Sequence, residues 1–195
     1  MRISTAFALC FALGTASACS PSVRQIRPSS PFTADMGHLF DDSVDYVENV
    51  DGLGGRVASD WESQIDGLSR SSDLIGPATI ETVLQGQDTD GARIYRLTAN
   101  LSSIVRGDAP PDHRVQLRVS EGQAGFNTVQ GREERLQAGH YVMFVKWYTD
   151  GAGNVQAHWH LSPQTDSLLA RVRHASGVDD QQLGQERVVR QDRGQ

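Results

Sequence analysis

The chain of 195 residues is poor in cysteine, in lysine and in long apolar segments. It has only two cysteines, one of them in the N-terminal leader, so a disulfide framework and a cysteine-ligated zinc finger are excluded. No apolar run after residue 20 approaches the roughly 18 residues that a membrane-spanning helix needs. The net charge of −6 argues against the basic surface that nucleic acids require, so we predict no nucleic-acid partner. The length fits one domain.

Catalytic and cofactor motifs are absent as well. The sequence contains no H-E-x-x-H, G-x-S-x-G, Walker or EF-hand pattern. Beyond Cys19 no cysteine is available as a nucleophile. Adjacent carboxylates such as Asp41 and Asp42 do not face each other across a substrate, as paired acid and base groups must. We therefore predict a protein that is not an enzyme and carries no cofactor.

The N-terminus has the organisation of an export signal. Met1 and Arg2 precede an apolar segment over residues 3–14, which has the length of a signal peptide and is too short to span a bilayer. The next feature, Ala-Ser-Ala-Cys at residues 16–19, resembles a bacterial lipobox, in which cleavage precedes a cysteine that receives a diacylglycerol. Ala16 stands where a lipobox usually has leucine. The same residues also satisfy the A-x-A rule for plain secretory cleavage after Ala18.

The cysteine count favours the lipoprotein interpretation. After cleavage before Cys19 the mature chain has one cysteine, at its first position. An unpaired cysteine in an exported protein is either a free thiol or has a specific role, and lipidation is such a role. Palmitate and diacylglycerol would anchor the chain to a membrane. By the same resemblance, Ser20 in place of aspartate implies an outer-membrane lipoprotein that faces the periplasm or the surface. The alternative is a secreted or periplasmic protein.

Composition predicts four regions in the chain. Residues 1–18 are the signal peptide, and residues 19–35, rich in proline and serine, are a lipidated flexible tether. Residues 36–176 are a single globular domain, and residues 177–195 are a polar C-terminal tail. Within the domain, the acidic residues 39–50 permit a short helix, and residues 121–139 read as a long polar loop.

The periodicity of the domain predicts an α+β fold. Residues 59–70 form an amphipathic helix, with Ser59 and Glu62 as a capping box and with Trp61 on the apolar face. Five strand-like segments follow at residues 74–84, 92–105, 114–119, 140–148 and 155–161. Thr165 then caps a C-terminal helix. Short strands separated by turn residues predict a small five-stranded antiparallel OB-like barrel with a preceding helix and a C-terminal helix. Gly76 and Pro77 predict a bend or an edge position for the first strand.

The last two strands carry enough alternation to predict their register. In an antiparallel pair, the residue numbers of two opposite positions always add up to the same sum. Only an even sum places the apolar residues of both strands on the same face of the sheet. A sum of 304 does so, and it sets Val145 opposite Trp159 and Lys146 opposite His158. The predicted barrel core, with Trp61 packed over one end, consists of Leu97, Leu101, Val115, Leu117, Val119, Met143, Val145, Trp159 and Leu161.

The central stretch of the domain resembles a pattern found in bacterial lipoproteins of unknown function. Its residues are Asp73-Leu74-Ile75 at the start of the first strand, Val105-Arg106-Gly107 after the second, and residues 139–144 at the start of the fourth. This arrangement is similar to the netrin module and to tissue inhibitors of metalloproteinases, which are OB-type barrels. The resemblance implies the fold. It does not imply the inhibitory chemistry, because Cys19 would be acylated and no second mature cysteine exists.

Two candidate sites remain at the last hairpin. Phe144, Tyr148, Gln156, His158 and His160 share the face opposite Trp159, and aromatic rings beside polar groups are typical of a recognition surface. Alternatively, the C-terminal helix covers Phe144 and Tyr148. His158 and His160 at i and i+2 could also hold a metal with His140, although Lys146 opposite His158 disfavours a dication.

The sequence therefore predicts a lipid-anchored cell-envelope protein that acts as a non-enzymatic binding or structural module. Its partner would be an envelope protein or a small molecule, and no bound metal is predicted. The alternative is a small metal-dependent hydrolase that uses His140, His158 and His160.

Overall fold

The computed structural model describes residues 26, 28, 30–50 and 52–178. Over these residues the protein is α+β, with a curled mixed sheet of seven strands and four helices. The strands are β1 (Ser43–Val44), β2 (Leu74–Gln87), β3 (Arg93–Leu101), β4 (Arg106–Gly107), β5 (Arg114–Ser120), β6 (His140–Thr149) and β7 (Val155–Pro163). The helices are α1 (Gly55–Ser71), α2 (Phe126–Val129), α3 (Glu133–Ala138) and α4 (Asp166–Ala175).

The sheet is a half-barrel rather than the predicted closed barrel. Its strand order is β1-β7-β6-β2-β3-β5, with β4 paired to β2. The curl brings β5 back towards β7, so that the indole Nε1 of Trp159 donates to the backbone oxygen of Arg118 at 3.0 Å. The five predicted strands form as β2, β3, β5, β6 and β7 and pair antiparallel, but β5 and β7 are not paired with each other, so the barrel is not closed. The sheet also contains two short strands that were not predicted, β1, which adds to β7 in parallel, and β4.

The predicted register of the last hairpin is confirmed. Val145 pairs with Trp159, and Lys146 pairs with His158. Successive side chains of β6 and β7 therefore point to opposite faces of the sheet. Both faces of β6 are covered, because every residue from Tyr141 to Trp147 is buried.

Two hydrophobic cores lie on the two faces of this sheet. The concave core contains all nine residues that the sequence assigned to it. The second core lies between the opposite face of the sheet and helices α1 and α4, and it includes Phe144, Ile75 and Trp61. The predicted position of Trp61 over an end of the barrel is therefore wrong, since the ring packs on the outer face.

The two long helices begin differently from each other. Thr165 caps α4 as predicted, because its Oγ1 accepts a hydrogen bond from the backbone nitrogen of Leu168 at 3.1 Å. Helix α1 begins one turn earlier than predicted, at Gly55, and its cap residue Gly54 has a φ of 66°. Ser59 therefore lies inside the helix and does not cap it.

Pro77 lies in a central strand and not at an edge. Its neighbour on β6 is Val142, and its carbonyl oxygen accepts from the backbone nitrogen of Ser102 at 2.9 Å. On this side of β2, the pairing with β3 ends at Ala78 and the pairing with β4 begins at Ile75. The N–H that proline lacks would point into this gap, so no ladder hydrogen bond is lost.

The segment predicted as a polar loop forms α2 and α3. Phe126, Val129 and Leu136 are buried in the concave core. Only three large apolar side chains occur among the nineteen residues 121–139. They give no clear period, so the sequence pattern missed a layer that covers the concave face.

Contacts with the domain begin before residue 36, within the region predicted as a tether. Ile26 packs against the concave core, and Ser30 Oγ accepts a hydrogen bond from Lys146 Nζ at 2.8 Å. The predicted signal peptide, Cys19 and residues 179–195 of the predicted tail lie outside the described residues. No helix within the described ranges is long and apolar enough to cross a membrane.

We expect Trp159→Ala to lower the free energy of unfolding by about 3–5 kcal/mol, because it empties a fully buried site and removes the hydrogen bond to Arg118. Val155→Ala is the matched control, since Val155 lies on the same strand but is exposed. Urea unfolding of both variants measures the difference. Equal losses for the two would contradict the burial of Trp159 in the concave core.

Candidate functional site

The parallel pairing of β1 with β7 brings three carboxylates alongside two histidines. Ser43 pairs with His160, and Val44 pairs with Leu161. This register places the acidic residues around β1 next to the polar face of β7. We call the resulting group the histidine–carboxylate cluster, and it consists of Asp41, Asp42, Asp45, His158 and His160.

His160 is buried between two of these carboxylates. Its Nδ1 lies 3.3 Å from Asp41 Oδ1 and its Nε2 lies 3.2 Å from Asp45 Oδ2, while only 2% of the residue is exposed. Burial alone would lower the pKa of His160, but the hydrogen bonds and charges of Asp41 and Asp45 outweigh it and raise the pKa to about 9. The ring is therefore protonated at neutral pH and offers no lone pair to a metal or to a substrate proton.

Hydrogen-bond donors on three elements support the charges around His160. Ser43 Oγ donates to Asp41 Oδ1 at 2.5 Å, and Ser162 Oγ donates to Asp45. The indole Nε1 of Trp61, on α1, also donates to Asp45 Oδ2 at 3.2 Å. Burial would raise the pKa of both carboxyl groups, yet the bonds from His160 and the serines lower it. This part of the cluster is therefore a structural junction between β1, β7 and α1.

Asp42 is the second centre of the cluster. Its Oδ1 accepts the backbone N–H of Trp159 at 3.0 Å, and its Oδ2 lies 3.0 Å from His158 Nδ1 and accepts from Gln123 Nε2 at 3.3 Å. Its φ of 55° is in the left-handed region, which few residues other than glycine adopt. Burial raises the pKa of Asp42, and His158 offsets this only in part.

His158 lies inside a stack of three rings. Its ring centroid is 4.2 Å from that of Phe32 and 4.4 Å from that of Tyr148, and both contacts are stacked. We call Phe32, His158 and Tyr148 the aromatic stack. The side chain of His158 remains 21% exposed. Phe32 comes from the region predicted as a tether, so the sequence did not indicate this contact.

The five predicted ligand-binding residues do not share one exposed face. Phe144 is fully buried in the core beneath α1 and α4, and His160 is buried in the cluster. The expectation of an exposed surface is wrong for these two, because α1 and α4 cover Phe144 and the residues around β1 enclose His160. Tyr148 and His158 are half-buried and Gln156 is exposed, so these three reach the surface at the other end.

The three histidines proposed as metal ligands are not brought together. His160 lies opposite Phe144 on β6, whereas His140 is four residues away along that strand, a separation of about 13 Å at ~3.3 Å per residue. His158 and His160 are each engaged by an aspartate. In the described part of the chain, no group of three or more histidine, cysteine and acidic side chains could hold a metal ion.

Lys146 is the cross-strand partner of His158, as predicted, but its charge is used elsewhere. Its Nζ donates to Asp73 Oδ1 at 2.8 Å, and the side chains of both residues are buried. The other oxygen of Asp73 accepts the backbone N–H of Trp147 at 3.0 Å. This ion pair ties the junction of α1 and β2 to β6 and does not belong to the surface site.

A cleft of about 280 Å³ lies where the half-barrel does not close, between β5 and the first half of β7. We call it the seam cleft. The side chains that line it come from five segments and are mostly polar: Asp42, Gln116, Arg118, Ser120, Gln123, Tyr148, Asp150, Gln156 and Ala157. Tyr148 and Gln156 are thus the predicted ligand-binding residues that this cleft unites. The glutamines of β5 and of the segment before α2 were missed, because nothing in the sequence indicates that β5 folds back towards β7.

Comparison of the chain with protein-family models, with curated proteins and with solved structures finds no match. The chemistry of the site therefore rests on its geometry.

We expect the folded protein to lose stability between pH 7 and pH 9. A histidine in the unfolded chain has a pKa of about 6.5, so above this pH the folded state, with His160 at about 9, holds more protons than the unfolded state. The stabilisation that protonated His160 gives the folded state is complete below the pKa of histidine in the unfolded chain. It is lost as the pH rises through about 9, the pKa in the folded state. His160→Gln should remove this decline.

Chemical denaturation at pH 7, 8 and 9 measures this effect. His174→Gln, which removes an exposed histidine of α4, serves as the control and should keep the decline of the wild type. A wild-type stability that is constant or rises over this interval would contradict a protonated His160.

Proposed function

We propose that the protein is a lipid-anchored protein of the bacterial cell envelope whose folded domain is a non-enzymatic binding module. The anchor is supported by the lipobox-like residues 16–19 and by the single cysteine, Cys19, of the mature chain. An outer-membrane location is supported by Ser20. The remaining residues of the predicted tether then link the anchor to the domain.

The seam cleft is the observation that carries the binding role. Small barrels commonly bind ligands at the mouth or on a sheet face, and binding sites are concave with a few convergent polar groups. Here the polar groups come from β5, from the loop between β6 and β7, and from β7, and the aromatic stack supports one wall. The half-barrel is compatible with a barrel fold, although its open seam departs from a closed barrel.

The geometry supports the alternative, a metal-dependent hydrolase, less well. Its three histidines would have to converge on one ion, and His140 lies at the far end of β6. His160 would also have to lose a proton that two partly buried carboxylates hold.

We expect the wild-type protein to incorporate labelled palmitate in a bacterial host with an outer membrane, and to sediment with the membrane fraction. Cys19→Ser should abolish the labelling and release the protein, because it removes the proposed anchor. Cys10→Ser is the matched control and should behave as the wild type, since Cys10 lies in the segment that cleavage removes. An unlabelled, fully soluble wild-type protein would contradict the lipid anchor.

We expect a photo-crosslinking amino acid at position 156 to capture a ligand in the intact envelope. Gln156 lines the seam cleft and is exposed, so the substitution leaves the cores undisturbed. The same amino acid at Gln85, an exposed position of β2 outside the cleft, is the control and should give no specific product. Identical products, or none, from the two positions would speak against a binding role of the cleft.

A further inference from the structure

The seam cleft lies between two strand edges that do not pair with each other. β5 is the last strand of the order, and β1 pairs with β7 only at His160 and Leu161. Within the described residues, the first half of β7 therefore has a strand neighbour only on the side of β6. An extended peptide could in principle fill such a gap by adding a strand.

The chain caps these edges with its own side chains. Asp42 accepts the backbone N–H of Trp159, and the indole of Trp159 donates to the carbonyl of Arg118. The amide of Gln123 accepts the backbone N–H of Ser120 and donates to Asp42. An added strand would have to displace these bonds, so what the seam cleft presents to a ligand is side chains.

Three of these side chains have polar groups with no partner among the described residues. Gln116 bonds Thr98 through one end of its amide, and Gln156 bonds Asp150 through one end of its amide. In the part of the chain that the structure describes, the other end of each amide and the hydroxyl of Tyr148 make no hydrogen bond. The unpaired groups include donors and acceptors and carry no charge. Hydroxyl groups, which both donate and accept, match this set.

The charges around the cleft disfavour an anion. Among the described residues that line the cleft, Arg118 is the one cation, and its guanidinium is paired with Asp88. Asp42 and Asp150 contribute carboxylates to the cleft. The backbone N–H of Asn154, in the same loop as Asp150, donates a hydrogen bond that lowers the pKa of Asp150. A phosphate or a carboxylate would therefore meet net negative charge, whereas a neutral or amino-bearing ligand would not.

The ring of Tyr148 and the volume of the cleft indicate the shape of the ligand. His158 occupies one face of Tyr148 and, with Phe32 behind it, holds the ring in place, so that a ligand can use the remaining ring surface. The cleft volume of about 280 Å³ lies just below the ~300–1,000 Å³ typical of ligand pockets, which suits one small ring.

From this combination we infer that the seam cleft binds a single neutral or amino-bearing sugar ring, which contacts Tyr148 and bonds Gln116 and Gln156. The inference deepens the proposed binding function and rests on it. The sugar can be free or a unit of an envelope glycan, since both present the same hydroxyl groups.

Saturation-transfer NMR and binding titrations, both on the full chain, test the inference. The probes added to the protein are N-acetylglucosamine, glucosamine and glucuronate. We expect N-acetylglucosamine and glucosamine to bind with dissociation constants on the order of 1 mM, and glucuronate to bind at least severalfold more weakly. Gln116→Ala and Gln156→Ala should each weaken binding by about 2–10-fold, the effect of one neutral hydrogen bond. Gln85→Ala is the matched control and should bind as the wild type.

Co-sedimentation with purified peptidoglycan separates the two sources. Sedimentation that N-acetylglucosamine competes away identifies a glycan, and binding of the free sugars alone identifies a soluble sugar. The inference is overturned if no sugar binds, if glucuronate binds best, or if the glutamine variants bind as the wild type. The protein could be acylated and crosslink through position 156 and yet bind none of the three sugars. That result would overturn the sugar assignment and leave the proposed function intact.

Discussion

The protonated His160 between Asp41 and Asp45 is the interaction on which the arrangement of this domain depends. Removing charges from water costs several kcal/mol per ion unless hydrogen bonds satisfy them, and here Ser43, Ser162 and Trp61 supply the bonds. Loss of one partner from a fully buried cluster costs about 3–5 kcal/mol, because an unpaired charge remains. The side chains of Asp41 and Asp45 are 30% and 17% exposed, so water reduces this cost here. The cluster therefore selects one position of β1 on β7 and joins both strands to α1.

The position of β1 determines the surface site. With Ser43 beside His160, the preceding Asp42 reaches the backbone of Trp159, the ring of His158 and the amide of Gln123. These bonds close one end of the seam cleft and occupy groups that pairing between β5 and β7 would use. The open seam is thus a consequence of how the acidic segment packs, and it leaves a side-chain cleft where a closed barrel would have a strand pair.

Local and short-range patterns in the sequence predicted much of the fold. The alternation of Val145 and Trp159 was sufficient for the register of β6 and β7, since side chains on strands have a period of two. The Thr165 cap was recognisable because capping is a local interaction. Residues 39–50 were not predictable in this way, because β1 exists only through pairing with a strand more than a hundred residues away. Their acidic pattern suggested a short helix.

The candidate site was predicted only in part for the same reason. Tyr148, Gln156 and His158 followed from the period of the hairpin, but the burial of Phe144 depends on helices whose docking the sequence does not reveal. Gln116 and Phe32 join the site through the curl of the sheet and through the chain before residue 36. These are long-range contacts, which no local pattern encodes.

The protonation state of His160, read from the nitrogen chemical shifts of its imidazole by NMR, tests this account most directly. With two partly buried carboxylates as partners, both ring nitrogens should carry a proton at pH 7.5, and the ring should titrate near pH 9. A neutral ring with one unprotonated nitrogen at pH 7.5, and a midpoint at or below the ordinary value of about 6.5, would contradict it.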